Sequence, residues 1–277
     1  MLSRLFAPVA AVAILIAGPA RAASDEIAAL EAALQLPDVF AVMSQEGHAY
    51  GVQLEADMFP GSGGAAWSAA VARIYAVDRI LPQFSEEFEA ELVRSEADTA
   101  AMLEFFTSDL GQRVTTLEIS ARRALLDEAV EDASRLKYDE MRATGDPQVA
   151  LVEEFVSVNG LIEANVSGAM NANYAFYQGL DDAGALGPEM SEDDIIGEIW
   201  SQEDVIRDET DIWIHSYLVM AYAPLSEAEM RDYIAFSQSE AGRDLNAALF
   251  AGFDAVFVDV SRQLGRAAGR ILAGRDL

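Results

Sequence analysis

The stretch Phe105-Phe106-Thr107-Ser108-Asp109-Leu110-Gly111, "FFTSDLG", is echoed by Phe236-Ser237-Gln238-Ser239-Glu240-Ala241-Gly242, "FSQSEAG". Ser95, Glu96, Ala97, Phe105, Ser108 and Gly111 recur in the same register as Ser226, Glu227, Ala228, Phe236, Ser239 and Gly242. Average residue usage gives about one or two identities in a window of that length. Conservative partners fill the gaps: Asp98 with Glu229, Leu103 with Ile234, Val114 with Leu245. The spacing describes a corner between two helices. Ser95-x-x-Asp98 and Ser226-x-x-Glu229 have the form of a capping box that starts a short helix. Ser108 and Ser239 then cap a longer one, with Asp109 and Glu240 in its positive first turn. Glycine at the third helical position costs about 1 kcal/mol relative to alanine, so its recurrence marks a place where a side chain does not fit. Leu103, Phe106, Leu110, Val114, Leu117 and Leu125 fall on one face, the one expected to be buried.

Working outward, the chain reads as helix almost throughout. Ser24-Asp25-Glu26 opens a helix that Pro37 is expected to end, and Asp38 starts another reaching about Met58. "FPGSGG" (59–64) is a loop; it lacks the Lys-Ser/Thr of a phosphate-binding loop and no strand precedes it. A helix from Ala65 is expected to halt at Pro82, with another from Ser85. At mid-chain, Gly145 can close a helix in the left-handed conformation, Asp146 can cap the next and Pro147 suits its first position. Helices are then expected over 147–158, 161–180, 192–222, 227–238 and 240–272. No segment alternates with period two between turn residues, so no sheet is expected. The fold class is all-α, in two related multi-helix halves, 23–144 and 145–277, from an internal duplication. "AWS" at Ala66 and "IWS" at Ile199 fall two residues off the main register.

The N-terminus sets the compartment. Arg4, the apolar run Ala7 to Gly18, Pro19 and the Ala20-Arg21-Ala22 triplet follow the order of a cleaved secretory signal over 1–22. The mature chain is expected to begin at Ala23 or Ser24 in the periplasm; a buried N-terminal helix is the competing reading. No later segment is apolar for long enough to span a bilayer. The charge is lopsided, 47 acids against 18 bases, formally −29. A surface this acidic repels nucleic acid and anionic lipid, which require basic patches. There are no cysteines, which excludes disulfides, thiolate nucleophiles, iron–sulfur clusters and Cys zinc sites. No cofactor or metal site is expected.

The pattern Phe-aromatic-x-Ser-x-x-Gly after a short Glu-rich helix resembles the exported bacterial helical proteins of domain-of-unknown-function family 2059, whose motif reads Phe-Tyr-x-Ser-Pro-x-Gly-x-Lys. This chain keeps Phe105, Phe106, Ser108 and Gly111, and again Phe236, Ser239 and Gly242. It departs with Asp109 and Glu240 in place of Pro, Ser237 at the second aromatic, and Arg113 and Asp244 in place of Lys. The resemblance covers 95–135 and 226–260. It implies an envelope-facing helical protein and carries no catalytic residues to transfer.

Candidate chemistry is sparse. His215 follows Asp211 by four residues, on one helical face. The pair suits either acid–base work in a hydrolase or a structural i,i+4 contact beside Trp213 and Tyr217. His48 adjoins Gly47, with Gly51 four residues on, near a close helix contact. Residues 181–211 hold twelve acids against Arg207 alone but lack calcium-loop spacing, so they read as a solvated face. Asn165-Val166-Ser167 is a formal glycosylation sequon inside a predicted helix. Ala164, Gly168 and Ala172, four residues apart, suit close helix packing. Arg262, Arg266 and Arg270 form a stripe that either grips an anionic partner or complements the helix end and nearby acids. Tyr174, Phe176, Tyr177, Trp213 and Tyr217 are the residues best suited to line a cavity. No catalytic residue is assigned. The expected function is a non-catalytic binding or envelope-interaction module with an unknown protein or apolar ligand as partner. A carrier or chaperone for an apolar ligand or peptide, or a hydrolase using Asp211 and His215, are the alternatives, and an apolar cavity favours the carrier.

Overall fold

The computed structural model describes residues 19–187 and 190–274, and among these all regular structure is helical. Six helices lead to mid-chain after the first corner is complete: α1 (Pro19–Ala33), α2 (Leu36–Met58), α3 (Gly64–Ile74), α4 (Val77–Arg94), α5 (Thr99–Thr107) and α6 (Asp109–Ala124). Then comes α7 (Glu128–Thr144), followed by α8 (Pro147–Val158), α9 (Leu161–Asp182), α10 (Glu192–Ser201), α11 (Glu203–Tyr222), α12 (Glu227–Gln238) and α13 (Glu240–Leu272). The expected signal segment lies, up to residue 18, outside the described residues, and Ala20-Arg21-Ala22 falls in the first turn of α1. Ser24 therefore stands inside α1 and caps nothing. No single helix among the described residues is long and apolar enough to cross a membrane; Ser24–Ala33 and Leu36–Met58 pass only as a pair bent by 58°.

The two corners form as their residues dictate. Ser108 Oγ accepts from Gly111 N at 3.1 Å and donates to the Phe105 carbonyl at 2.6 Å. Ser239 Oγ accepts from Gly242 N at 3.0 Å and donates to Phe236 at 2.6 Å. A Cβ on either glycine would stand 2.1 Å from that same carbonyl oxygen. The corners also meet each other. Phe105 stacks on Phe236 with centroids 4.0 Å apart and planes 10° apart, and Phe106 meets Phe236 edge-on at 5.5 Å.

Several boundaries differ from expectation. Ser226 does build a full capping box with Glu229, but Ser95 does not cap α5: it ends α4, and Asp98 accepts from Ala101 N instead. Glu96 at φ 52° turns the chain there, which takes Ser95 out of reach of the next helix. Pro82 sits inside α4 rather than ending a helix; the break comes at Tyr75 and Ala76. Pro82 is six residues into α4, and its missing N–H would otherwise bond Asp78. Pro37 likewise starts α2 in its first turn, after Gln35 turns in the left-handed region at φ 53°. The run 192–222 breaks at Gln202 into α10 and α11. At mid-chain Gly145 (φ 68°), the Asp146 cap on Gln148 N and Pro147 are as the residues predict.

Packing interleaves the two halves. α4 lies on α13, and α11 lies on α6 and α7, so each half's fourth long element rests on the other half. The core runs through Phe40, Phe84, Phe88 and Phe253, with Phe84 centroids 5.1, 5.4 and 4.8 Å from the other three. The most extensive contact is between α9 and α13, which run parallel: Asn171 meets Asp254, Gly179 meets Gly265 and Asp182 meets Arg266. A Cβ at Gly265 would stand 2.1 Å from the Phe176 carbonyl oxygen, so this crossing is close because it lacks side chains.

Candidate functional site

The close contact between α9 and α13 lies at their C-terminal ends. Nearer their N-terminal ends, where Asn246 still bonds the Asn159 carbonyl at 2.9 Å, a cavity of about 780 Å³ opens between α9, α11 and α13. Its α9 wall includes Ala164, Gly168, Ala169 and Ala172 together with Asn165, Ser167 and Asn171; α11 supplies Trp213, Tyr217 and Leu218 among others; α13 supplies Leu249, Phe250, Phe253, Asp254 and Phe257 among others. The small residues of α9 thus leave space open rather than admit another helix, contrary to the expectation for Ala164, Gly168 and Ala172. A Cβ added at Gly168 would meet only Asp254 Oδ1, at 3.9 Å. Close approach in α9 falls at Gly179 instead. Phe257, which also lines the cavity, is 37% exposed, a large share for an aromatic ring. The second half makes almost the whole lining; Arg122 of α6 is the contribution of the first.

A smaller cavity of about 180 Å³ adjoins it and shares Arg122, Tyr217, Leu249 and Phe253. This one lies between the halves, with Val39, Val42, Glu118 and Tyr233 among its walls. Glu118 is held by tyrosines: Oε1 accepts from Tyr222 at 2.7 Å and from Tyr233 at 3.1 Å, while Tyr217 donates to its backbone carbonyl at 3.1 Å. Burial pushes the Glu118 carboxyl above the usual carboxylate range, partly opposed by the two hydroxyls. The same burial, with the Glu118 charge beside them, holds Tyr222 and Tyr233 well above the ordinary phenol value. Arg122 is half-buried and gives Nε and Nη2 to the two carboxylate oxygens of Glu46, both at 2.8 Å. Such a bidentate pair is neutral as a unit.

Trp213 and Tyr217 line the cavity as their sequence positions suggest, stacked on each other at 5.2 Å. Tyr174, Phe176 and Tyr177 do not line it. Tyr174 donates to Glu192, and Phe176 and Tyr177 pack on the core. His215 is buried on the far side of α11. Its ring stacks on Tyr138 at 5.4 Å and its Nδ1 lies 2.8 Å from the Asp211 backbone oxygen and 3.4 Å from Asp211 Oδ1. The pair is thus an i,i+4 contact under α7, outside either cavity. His48 is exposed on α2, while Gly47 and Gly51 press against Tyr75 and Val71 of the α3 region. Arg262 and Arg266 both pair with Asp182, which holds that carboxyl below its usual value, so this part of the stripe serves the protein's own acid. Asn165 donates to the Leu161 carbonyl within α9, and Gly63 N and Gly64 N bond Glu55. Among the described residues no three His, Asp or Glu side chains gather closely enough to hold a metal. Phe250, Phe253, Phe257 and Asp254 were not singled out by sequence; their shared helical face was the available signal.

Residues 78–135 match the model of a family described as uncharacterized proteins conserved in bacteria, domain of unknown function 2059. The matched stretch runs from α4 into α7. It includes the first corner, Glu118 and Arg122, and one copy of the repeated motif. No curated protein or solved structure matches the chain.

Proposed function

We propose that this is an exported periplasmic binding protein that carries a small apolar-bodied ligand in the cavity between α9, α11 and α13. The observation that carries the reading is the cavity itself. Its volume falls in the range of about 300–1,000 Å³ typical of small-molecule sites, and its walls are mostly apolar and aromatic with a few polar groups, as such sites are. Leaving Phe257 and its neighbours open to water forgoes the gain from burying them, and a ligand supplies that cover. The order of N-terminal segments supports export. Two ancestral halves are part of the proposal, supported by the matching corners and by the parallel succession α1–α6 and α8–α13. The halves have since diverged: Trp67 is buried and donates to the Gly51 carbonyl at 2.8 Å, whereas Trp200 is 60% exposed. In this proposal only the second half kept a ligand cavity.

Decanol serves as a neutral probe, with binding followed by calorimetry and native mass spectrometry. Wild-type protein is expected to bind one molecule. Gly168→Phe should place a ring in the open space, abolish binding and leave the melting temperature unchanged or higher, since a helical glycine is lost. A wild-type protein that takes up no decanol, or a Gly168→Phe variant that binds it equally, overturns the reading.

A further inference from the structure

We propose that the ligand is a cationic amphiphile of alkylammonium type, with its ammonium group beside Asp254 and the rings of Phe250, Phe253 and Phe257, and its alkyl chain along the small-residue wall of α9. This deepens the reading of the cavity as a ligand site and rests on it.

Charge selects the head. The cavity wall carries two charged side chains, Arg122 and Asp254. Arg122 is committed to Glu46 through two 2.8 Å bonds, and an anionic head would have to displace that carboxylate. Asp254 takes one bond from the neutral amide of Asn171 at 3.1 Å and, among the described residues, no ion pair. The uncompensated charge in the cavity is therefore negative. Shape and chemistry agree. Phe250, Phe253 and Phe257 stand at −4, −1 and +3 from Asp254, which brings the rings and the carboxylate to one stretch of α13. Aromatic faces attract ammonium groups, and more strongly when the cation is shielded from water. Across the cavity the stacked pair Trp213 and Tyr217 presents two further rings.

The surroundings favour the same sign. Glu118, in the adjoining cavity, has tyrosine hydroxyls as its side-chain partners. Burial raises its pKa, so a nearby cation would ease the cost of its charge. The formal charge of −29 draws cations toward the protein and repels anions.

The test compares decyltrimethylammonium, decanol and decanoate, at concentrations below micelle formation, on the full chain. We expect decyltrimethylammonium to bind at least about tenfold tighter than decanol, with decanoate weakest. Asp254→Asn, isosteric at a half-exposed position, should bring the ammonium compound down to the level of decanol. Asp208→Asn removes the same charge from the exposed face of α11 and should change nothing. The wild-type ranking needs no variant, so it stands whatever the folding of Asp254→Asn. Decanoate binding as tightly as the ammonium compound overturns the proposal, as does equal behaviour of the Asp254 and Asp208 variants, which would mark general attraction to an acidic surface. Decanol binding without an ammonium preference overturns this proposal alone. Binding of none of the three overturns the cavity reading with it.

Discussion

A methyl group added at Gly111 would stand 2.1 Å from the Phe105 carbonyl oxygen and 2.6 Å from the Phe106 Cα. At Gly242 it would stand 2.1 Å from the Phe236 carbonyl and 2.8 Å from the Ser237 Cα. In both places the neighbour is backbone, which has little room to yield. Gly111→Ala and Gly242→Ala should therefore each destabilise by about 1–3 kcal/mol, the usual cost of overpacking, although alanine is the better helix former. Gly168→Ala is the matched control: its Cβ meets nothing closer than Asp254 Oδ1 at 3.9 Å, an ordinary contact distance, and it should stabilise by up to about 1 kcal/mol. Thermal or urea denaturation of the three variants checks the contrast, and destabilisation by Gly168→Ala or neutrality at the two corners would contradict it. Sequence alone identified Gly111 and Gly242 because they repeat in register. It misread Gly168, because a small residue on a helix face has the same appearance whether another helix or empty space lies against it.

The caps show the same limit at the level of elements. Ser226-x-x-Glu229 and Ser95-x-x-Asp98 are alike on paper, yet only the first forms a capping box. In the second, the left-handed turn at Glu96 shifts the start of α5 by three residues, and Asp98 takes over the cap. Asp98→Ala should then cost about 1 kcal/mol, and so should Ser226→Ala. Ser95→Ala should cost clearly less, because its hydroxyl only donates to the Glu91 and Leu92 carbonyls. Equal losses at Ser95 and Asp98 in equilibrium unfolding would count against this assignment. The prolines were misplaced for a related reason. Pro37 and Pro82 read as stops, but proline is compatible with a first turn, and tertiary contacts hold α4 together around Pro82. Ile80, Phe84 and Phe88 on either side of it are fully buried.

Over the whole molecule, Glu118 joins the halves, accepting on one side of α6 from Tyr222 of α11 and Tyr233 of α12. Its raised pKa has a consequence for stability. Below about pH 4.3, the ordinary value for Glu, the carboxyl is protonated folded and unfolded alike. As pH rises, the unfolded chain ionises first, so this group costs the native state progressively more until its own higher folded pKa is passed. Glu118→Gln keeps an acceptor for the tyrosines and has no charge to bury. The variant's melting temperature relative to wild type should rise as pH increases above the ordinary Glu value and level off once the folded pKa is passed. The double difference removes the many other carboxylates, and a difference that stays constant or falls with pH would show that Glu118 is not destabilised by burial.

Composition, periodicity and the repeated motif determined what depends on local chemistry: an all-α chain, the two serine-capped glycine corners, the mid-chain boundary at Gly145-Asp146-Pro147, and the absence of any cysteine-based site. These follow from residues within a few positions of one another, where hydrogen-bonding reach and steric limits are the same in any fold. The tertiary structure alone decided which faces meet. Parallel α9 and α13 press together at Gly179 and Gly265, whereas Gly168 lines a cavity, so the same kind of small residue closes a contact in one place and borders open space in another. Asp254 and its phenylalanines look like an ordinary helix face in the sequence. They become a candidate site only because α9 and α11, remote in the chain, fold beside them around a cavity.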